Sequence, residues 1–158
     1  MIRPATPDDL PAFKRVIDAT ALFPSELLDD MAGGLADDDG DERWLAFDPG
    51  DGPSAVAHYV PERMTSGTWN LLLIAVHPDS QSRGIGARLM AHVEDALGAR
   101  GERVLLVETS GTEAFERTRR FYRTIGYDEE ARIRDYYDAG DDKVVFRKAL
   151  RAAGGRDL

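Results

Sequence analysis

The spacing of apolar residues changes twice within one stretch of the chain. "TWNLLLIAV" at 68–76 is a nearly continuous apolar run, which predicts a strand buried on both faces. Pro78 closes it. Ile85, Leu89, Val93 and Leu97 then recur every four residues, with Met90 and Ala96 beside them. That is the stripe of an amphipathic helix, ended near Gly98 and Gly101. "RVLLV" at 103–107 reverts to a buried strand.

The flanks extend the alternation. A short strand is expected at 2–5, followed by a helix that Thr6 caps and Pro7 opens, with Asp8 and Asp9 at its positive end. Leu10, Phe13, Val16 and Ile17 supply its apolar stripe. A second helix is predicted over 25–32, stopping at Gly33-Gly34. Strands are expected at 43–48 and 55–60, separated by the turn "PGDG". After 107 come a helix over 115–125, stopped by Gly126, and two late strands at 131–137 and 143–148. The order βα(α)ββ–βαβαβ(β) predicts an α/β domain with a mixed central sheet flanked by helices, spanning 1–150, with 151–158 as a C-terminal tail.

Composition narrows the chemistry. With 158 residues the chain suits one domain, and its lack of cysteine excludes disulfides, thiolate zinc sites and a cysteine nucleophile. No apolar core marks the N-terminus and the longest apolar run is too short for a bilayer, so a soluble cytoplasmic protein without a membrane partner is expected. The net charge is −9, and residues 1–68 carry 14 acids against 5 bases. Most of this excess lies between Glu26 and Asp51, including "ADDDGDE". Such a balance argues against a nucleic-acid partner, which needs clustered Lys and Arg. The acidic tract is either a solvated loop or a field that steers a cationic substrate. His58, His77 and His92 fall at no recognised metal spacing, so no metal is expected. The sequence does not fix an oligomeric state, although an exposed sheet edge would allow a homodimer.

"QSRGIG" at 81–86 sits where a strand passes into a helix. Unpaired amides and the helix dipole make such a junction a seat for anions, and Gly84 and Gly86 bring no Cβ that would keep a phosphate away. Glycines there can equally serve only the turn. A dinucleotide fingerprint fits poorly: the third small position is Leu89, the loop from His77 is long, and too little chain remains for a doubly wound sheet. No Gly-Lys-Ser/Thr is present for a phosphate loop, and no Gly-x-Ser-x-Gly for an esterase elbow.

Val76-x-Pro78-x-x-Gln81-x-x-Gly84-x-Gly86 matches at every position the pyrophosphate loop of the GNAT superfamily of acyl-CoA-dependent N-acyltransferases. "RRFYRTIGY" at 119–127 resembles that family's second signature, and "ETS…TRRFY…GDDKVVFRK" is similar to a branch whose substrates are uncharacterised. The resemblance spans 2–150 and is strongest over 68–150. It implies the GNAT fold, with strands splayed around an acyl-CoA site, and acetyl-CoA as donor. It further implies that amides near Ile74, Ala75 and Val76 hold the thioester carbonyl. Gln81, Ser82, Arg83, Gly84, Ile85, Gly86, Ala87 and Arg88 would cradle the pyrophosphate, and Tyr122 would protonate the departing thiolate. Family members often carry Asn seven residues and Ala four residues before that tyrosine. Phe115 and Thr118 stand there instead, which leaves Thr118 to reach the coenzyme A arm.

Many members also place a glutamate on the strand before the loop, where this chain has Asn70 and no acid. Glu108, ending the next strand, is either the substitute general base, acting directly or through water, or a solvated or salt-bridged strand-end carboxylate. The implied function is acetyl transfer to a primary amine, on a small molecule or a protein, by direct attack in a ternary complex. Asp135 and Asp138, together with the acidic tract, favour a cationic acceptor. A non-catalytic acyl-CoA-binding or regulatory module of the same fold is the alternative.

Overall fold

The computed structural model describes residues 1–36 and 40–151. Asp37–Asp39, at the centre of the acidic tract, and 152–158 of the expected tail lie outside the described residues. Strand order is β1-β2-β3-β4-β5-β7-β6 in a seven-stranded sheet. Pairing is parallel between β4 and β5 and antiparallel in the β1–β2, β2–β3, β5–β7 and β6–β7 pairs, so the sheet is mixed as expected. The chain divides into two compact units, Met1–Pro61 with Leu72–Val93 and Glu62–Leu71 with Glu94–Leu158.

In the first unit, β1 (Ile2–Pro4), β2 (Arg43–Phe47) and β3 (Ala55–Pro61) form an antiparallel set. Helices α1 (Leu10–Thr20) and α2 (Leu27–Met31) precede β2. Phe13, Val16 and Ile17 of α1 meet Leu28, Leu35, Trp44, Ala46 and Val56 in one core, together with Leu73 and Ala75 of β4 (Thr68–Val76). Phe13 stacks on Trp44 with centroids 6.2 Å apart. Pro7–Asp9 form a 3₁₀ turn ahead of α1, rather than its first α-turn. The helix predicted over 25–32 is also shorter, and a 3₁₀ turn, Ala32–Ala36, runs through Gly33-Gly34 instead of stopping there. Five α-helical residues cannot hold themselves together in water, so packing of Leu28 decides the outcome.

Arg3 fastens β1 to the entry of α1. Its guanidinium lies 2.7 Å and 2.9 Å from the two oxygens of Asp9 and 3.0 Å from Asp48. The hydrogen bond from Arg3 holds the buried Asp9 carboxyl below its ordinary value, against the opposing effect of burial, and the Thr6 N–H helps. Arg3 is 34% exposed, so solvent screening keeps its contribution moderate. Arg3→Ala should cost about 2 kcal/mol at neutral pH, mostly by leaving Asp9 buried without its cation. A depressed carboxylate stabilises the fold above its unfolded pKa and loses that contribution as pH falls through the folded one. Urea unfolding should therefore show the wild-type advantage at pH 7 and a smaller one below about pH 4.

In the second unit, residues 68–71 of β4 pair with β5 (Val104–Ser110), from Thr68↔Val104 to Leu71↔Val107. Strands β7 (Asp141–Ala149) and β6 (Asp128–Asp138) complete it, with α4 (Glu116–Thr124) between β5 and β6. Register separates the two faces. Trp69, Leu71, Leu105, Val107, Val144 and Phe146 fall on one face and all are buried. Asn70, Leu106, Glu108, Lys143, Val145 and Arg147 fall on the other, and of these six only Asn70 is buried. Lys148 and Tyr127 both bond Glu94 at 2.8 Å, pinning the end of α3 (Ile85–Ala99) to β7 and to the start of β6.

One expectation for β4 fails over part of its length. Leu72 is 49% exposed, and Ile74 and Val76, on the same side, are only half-buried. The exposed Leu72 falls just past the last β4–β5 pair, at Leu71.

Candidate functional site

The first unit contributes the loop from Val76 to Arg88. A 3₁₀ turn at Pro78–Ser80 follows β4, and the His77 ring nitrogen Nδ1 accepts from the Asp79 N–H at 3.1 Å. The Gln81 side chain turns back and donates from Nε2 to the Val76 carbonyl at 2.9 Å. Gln81 thus holds the loop closed against the end of the strand. Ser82 and Gly84 both lie in the left-handed region, at φ 65° and 74°, on either side of Arg83. Alternating handedness of this kind turns successive N–H groups toward one side, the geometry of an anion-binding nest.

Helix α3 begins at once. Its first hydrogen bond runs from the Arg88 N–H to the Gly84 carbonyl at 3.0 Å, so the amides of Ile85, Gly86 and Ala87 precede any intrahelical acceptor. Ile85 is buried and anchors the turn, while residues 81–84 are exposed. A Cβ built on Gly84 would meet nothing within 4 Å. Unbonded amides, a helix dipole and open space therefore coincide. The Arg88 guanidinium lies over the Phe47 ring, 5.1 Å from its centroid, so its side chain is engaged with β2. Ile74, Ala75 and Val76 lie just past the last β4–β5 pair.

The second unit brings together the expected general base and three residues around it. Glu108 accepts from the Asn70 amide through Oε1 at 3.0 Å and is ion-paired with Lys143 through Oε2. The same Asn70 nitrogen donates to Glu62 Oε1, also at 3.0 Å. Burial pulls the Lys143 ammonium down, but Glu108 and the Tyr136 ring beside it outweigh that and hold it above its ordinary value. Neither Glu62 nor Lys143 was singled out from sequence. Both signals lie in register: Glu62 N–H bonds the Thr68 carbonyl across the β3–β4 turn, and Lys143 faces Ser110 across β5–β7.

Tyr122 is buried on α4, with Tyr127, Phe146 and Phe121 at centroid distances of 5.8, 5.5 and 5.3 Å. Burial pushes its phenol up, so the hydroxyl keeps its proton throughout the neutral range. Thr118 lies one turn earlier and is half-buried. Arg119 donates to the Ser110 and Thr112 carbonyls and ties the start of α4 to the end of β5. Asp135 and Asp138 are engaged locally, accepting from the Gly140 and Ala139 amides to close the β6–β7 turn. Among the described residues, no three His, Asp or Glu side chains gather in a way that would hold a metal ion. Nor is any described helix long and apolar enough to cross a membrane.

A family model described as Acetyltransferase (GNAT) domain matches residues 39–129. Over 78 residues the chain is 33% identical to the [Ribosomal protein bS18]-alanine N-acetyltransferase of Escherichia coli strain K12, which covers 48% of this chain and 51% of that protein. The chain thus spans about half the length of the curated relatives it matches. A solved GNAT-family protein from Desulfovibrio desulfuricans superposes with a TM-score of 0.83 at 33% identity, covering 94% of this chain and 98% of the other. The structure of the ribosomal-protein-S18-alanine N-acetyltransferase from Escherichia coli superposes at 0.79 with 23% identity, covering 100% and 98%, and adds support for the fold alone.

Proposed function

Because the chain belongs to the acetyltransferase (GNAT) family, we propose that it transfers an acetyl group from acetyl-CoA to a primary amine by direct attack in a ternary complex. The observation that carries this is the loop at 81–88, whose unbonded amides at 85–87 open beside the bare Cα of Gly84. That combination suits a pyrophosphate, with Ser82, Arg83 and Gly86 lining the same turn. Ile74, Ala75 and Val76 would offer backbone to the pantetheine and thioester, and Thr118 a hydroxyl to the cofactor's arm. Bound acetyl-CoA supplies an acyl thioester with a carbonyl carbon open to attack.

The protein's own groups handle the protons. An alkylammonium has a pKa near 10.4, so about one molecule in a thousand is free amine at neutral pH. Glu108 would accept one proton, directly or through water. The nitrogen then bonds to the acyl carbon as the carbon–sulfur bond breaks. Tyr122 gives its proton to the departing sulfur and is restored by the second proton of the nitrogen, leaving amide, thiol and one proton on Glu108. No residue carries the acyl group, in keeping with the absence of cysteine.

Thiol release measured across a library of amines tests this. Wild type should release coenzyme A in an amine-dependent way, and Glu108→Gln should lose about 10²-fold or more at neutral pH, with recovery as pH approaches the amine's own pKa. Cofactor binding without release for any amine would sink the proposal in favour of a binding module. An unchanged pH–rate profile in Glu108→Gln would move the base elsewhere.

A further inference from the structure

Of the three histidines only His58 is buried, at 2% exposure. It lies opposite Trp44 in the β2–β3 register and stacks on the indole, with centroids 3.9 Å apart and ring planes at 16°. Its Nδ1 lies 3.1 Å from the Arg43 carbonyl. A carbonyl only accepts, so Nδ1 carries the hydrogen and the neutral ring presents a bare lone pair at Nε2. That lone pair faces another acceptor. Glu42 Oε2 lies 3.9 Å away, too far for a hydrogen bond, and is buried with no hydrogen-bond partner among the described residues. Two acceptors thus face each other with no donor between them.

A proton on Nε2 supplies what both groups lack. The imidazolium donates from both nitrogens, so it keeps the Arg43 bond and offers Glu42 a donor and a countercharge. Stacking on an indole face favours a cation as well. Burial holds the imidazole below its ordinary value, while the Arg43 carbonyl and Glu42 pull it upward. The ring is therefore neutral at pH 7, and the unfolded chain takes up the proton first as pH falls. Stability should drop from about pH 6.5 downward and level off once the folded ring is itself protonated. Among the described residues, Glu42 is the one charge that bears on the ring. Trp44 and, beyond it, Phe13 of α1 are uncharged, and the Arg43 guanidinium is bonded to the Gly40 and Glu42 carbonyls.

Glu42 also touches the segment that precedes β2. A Cβ built on Gly34, in the 3₁₀ turn Ala32–Ala36, would collide with the Glu42 carboxyl, so only a glycine lets the two lie together. The Glu42 side chain is 41% exposed overall, which leaves it a path into solvent when nothing holds Oε2. We propose that His58 and Glu42 form a proton-operated latch, open at neutral pH and closed in mild acid. Closed, it fastens the turn at Gly34 and the end of "ADDDGDE" to β3. The latch does not depend on acetyl transfer.

The test follows the full chain, labelled with ¹⁵N, from about pH 8 to about pH 5. His77→Gln and His92→Gln assign the imidazole nitrogens of His58 by elimination. Wild type should show the Nδ1-protonated tautomer at the alkaline end, then protonation of Nε2 with a midpoint between about pH 5 and 6.5. The backbone amide of Gly34 should shift with the same midpoint. Glu42→Gln removes the countercharge, so the His58 midpoint should fall by about one pH unit. A glutamine amide at that position can donate to the bare Nε2, so the Gly34 signal should no longer follow pH. Asp41→Asn, at the neighbouring exposed acid, should leave the Gly34 response in place. An Nε2-protonated tautomer at the alkaline end, no protonation above about pH 5, or a Gly34 signal indifferent to His58 would each overturn the latch. So would an unchanged response in Glu42→Gln, or an equal effect of Asp41→Asn. The first three outcomes are read from the wild-type titration, so a Glu42→Gln chain that failed to fold would not shield the proposal.

Discussion

Tyr122→Phe is expected to lower turnover by about 10²-fold while leaving acetyl-CoA affinity and the fold nearly unchanged. The substitution removes one oxygen from a ring packed among Tyr127, Phe146 and Phe121, and Phe preserves those aromatic contacts. Stability should fall by less than about 1.5 kcal/mol. Burial raises the phenol, which cuts two ways. It makes the group a poorer acid toward a solvated thiolate, yet ensures that a proton is always present to meet charge as it develops on sulfur. The pH–rate profile should therefore show no alkaline limb from this residue below about pH 10. An acetyl donor with a more acidic thiol needs that proton less, so the deficit of Tyr122→Phe should shrink as the leaving group improves. Full activity with acetyl-CoA, or a deficit independent of the leaving group, would reduce Tyr122 to a core aromatic.

What could be read from the chain follows the range of the interactions involved. β4 at Thr68–Val76 and α3 from Ile85 are recognisable because their periods are local and their ends are marked by Pro78, Gly84 and Gly98. The loop was legible for the same reason: its glycines and Gln81 act within a dozen residues. The exposure of Leu72 is not legible in a continuous apolar run, because burial of a strand face depends on what packs over the sheet. The helix at 25–32 was overestimated because five residues there owe their conformation to Leu28 and the core, not to propensity. Glu62 and Lys143 were invisible on a linear reading. Their partners lie 8 and 35 residues away, Asn70 across a turn and Glu108 across an antiparallel pair, and only register unites them. The acids at 135 and 138 are legible as charge, whereas their hydrogen bonds to the Gly140 and Ala139 amides depend on the geometry of the turn.

Gly84→Ala separates the conformational role of the loop glycine from its spatial one. Its φ of 74° makes any Cβ costly, by about 1 kcal/mol for alanine. The loop tolerates strain of that size already, since Ser82 adopts φ 65° with a side chain. Among the described residues other than its chain neighbours, no atom lies within 4 Å of the new methyl, so the loss of stability should stop at the strain, a fall of about 2–4 °C in Tm. The methyl would add bulk within the loop at 81–88, where the pyrophosphate is expected. Acetyl-CoA kcat/KM should then fall about 100-fold, equivalent to about 2.7 kcal/mol. Acetylpantetheine has the same thioester and no pyrophosphate, and its kcat/KM should be nearly unaffected. Parallel losses with both donors would mean that the glycine serves only the turn. A loss confined to acetyl-CoA would assign the amides of 85–87 to the pyrophosphate, because strain in the loop cannot discriminate between donors that share every atom at the reacting end.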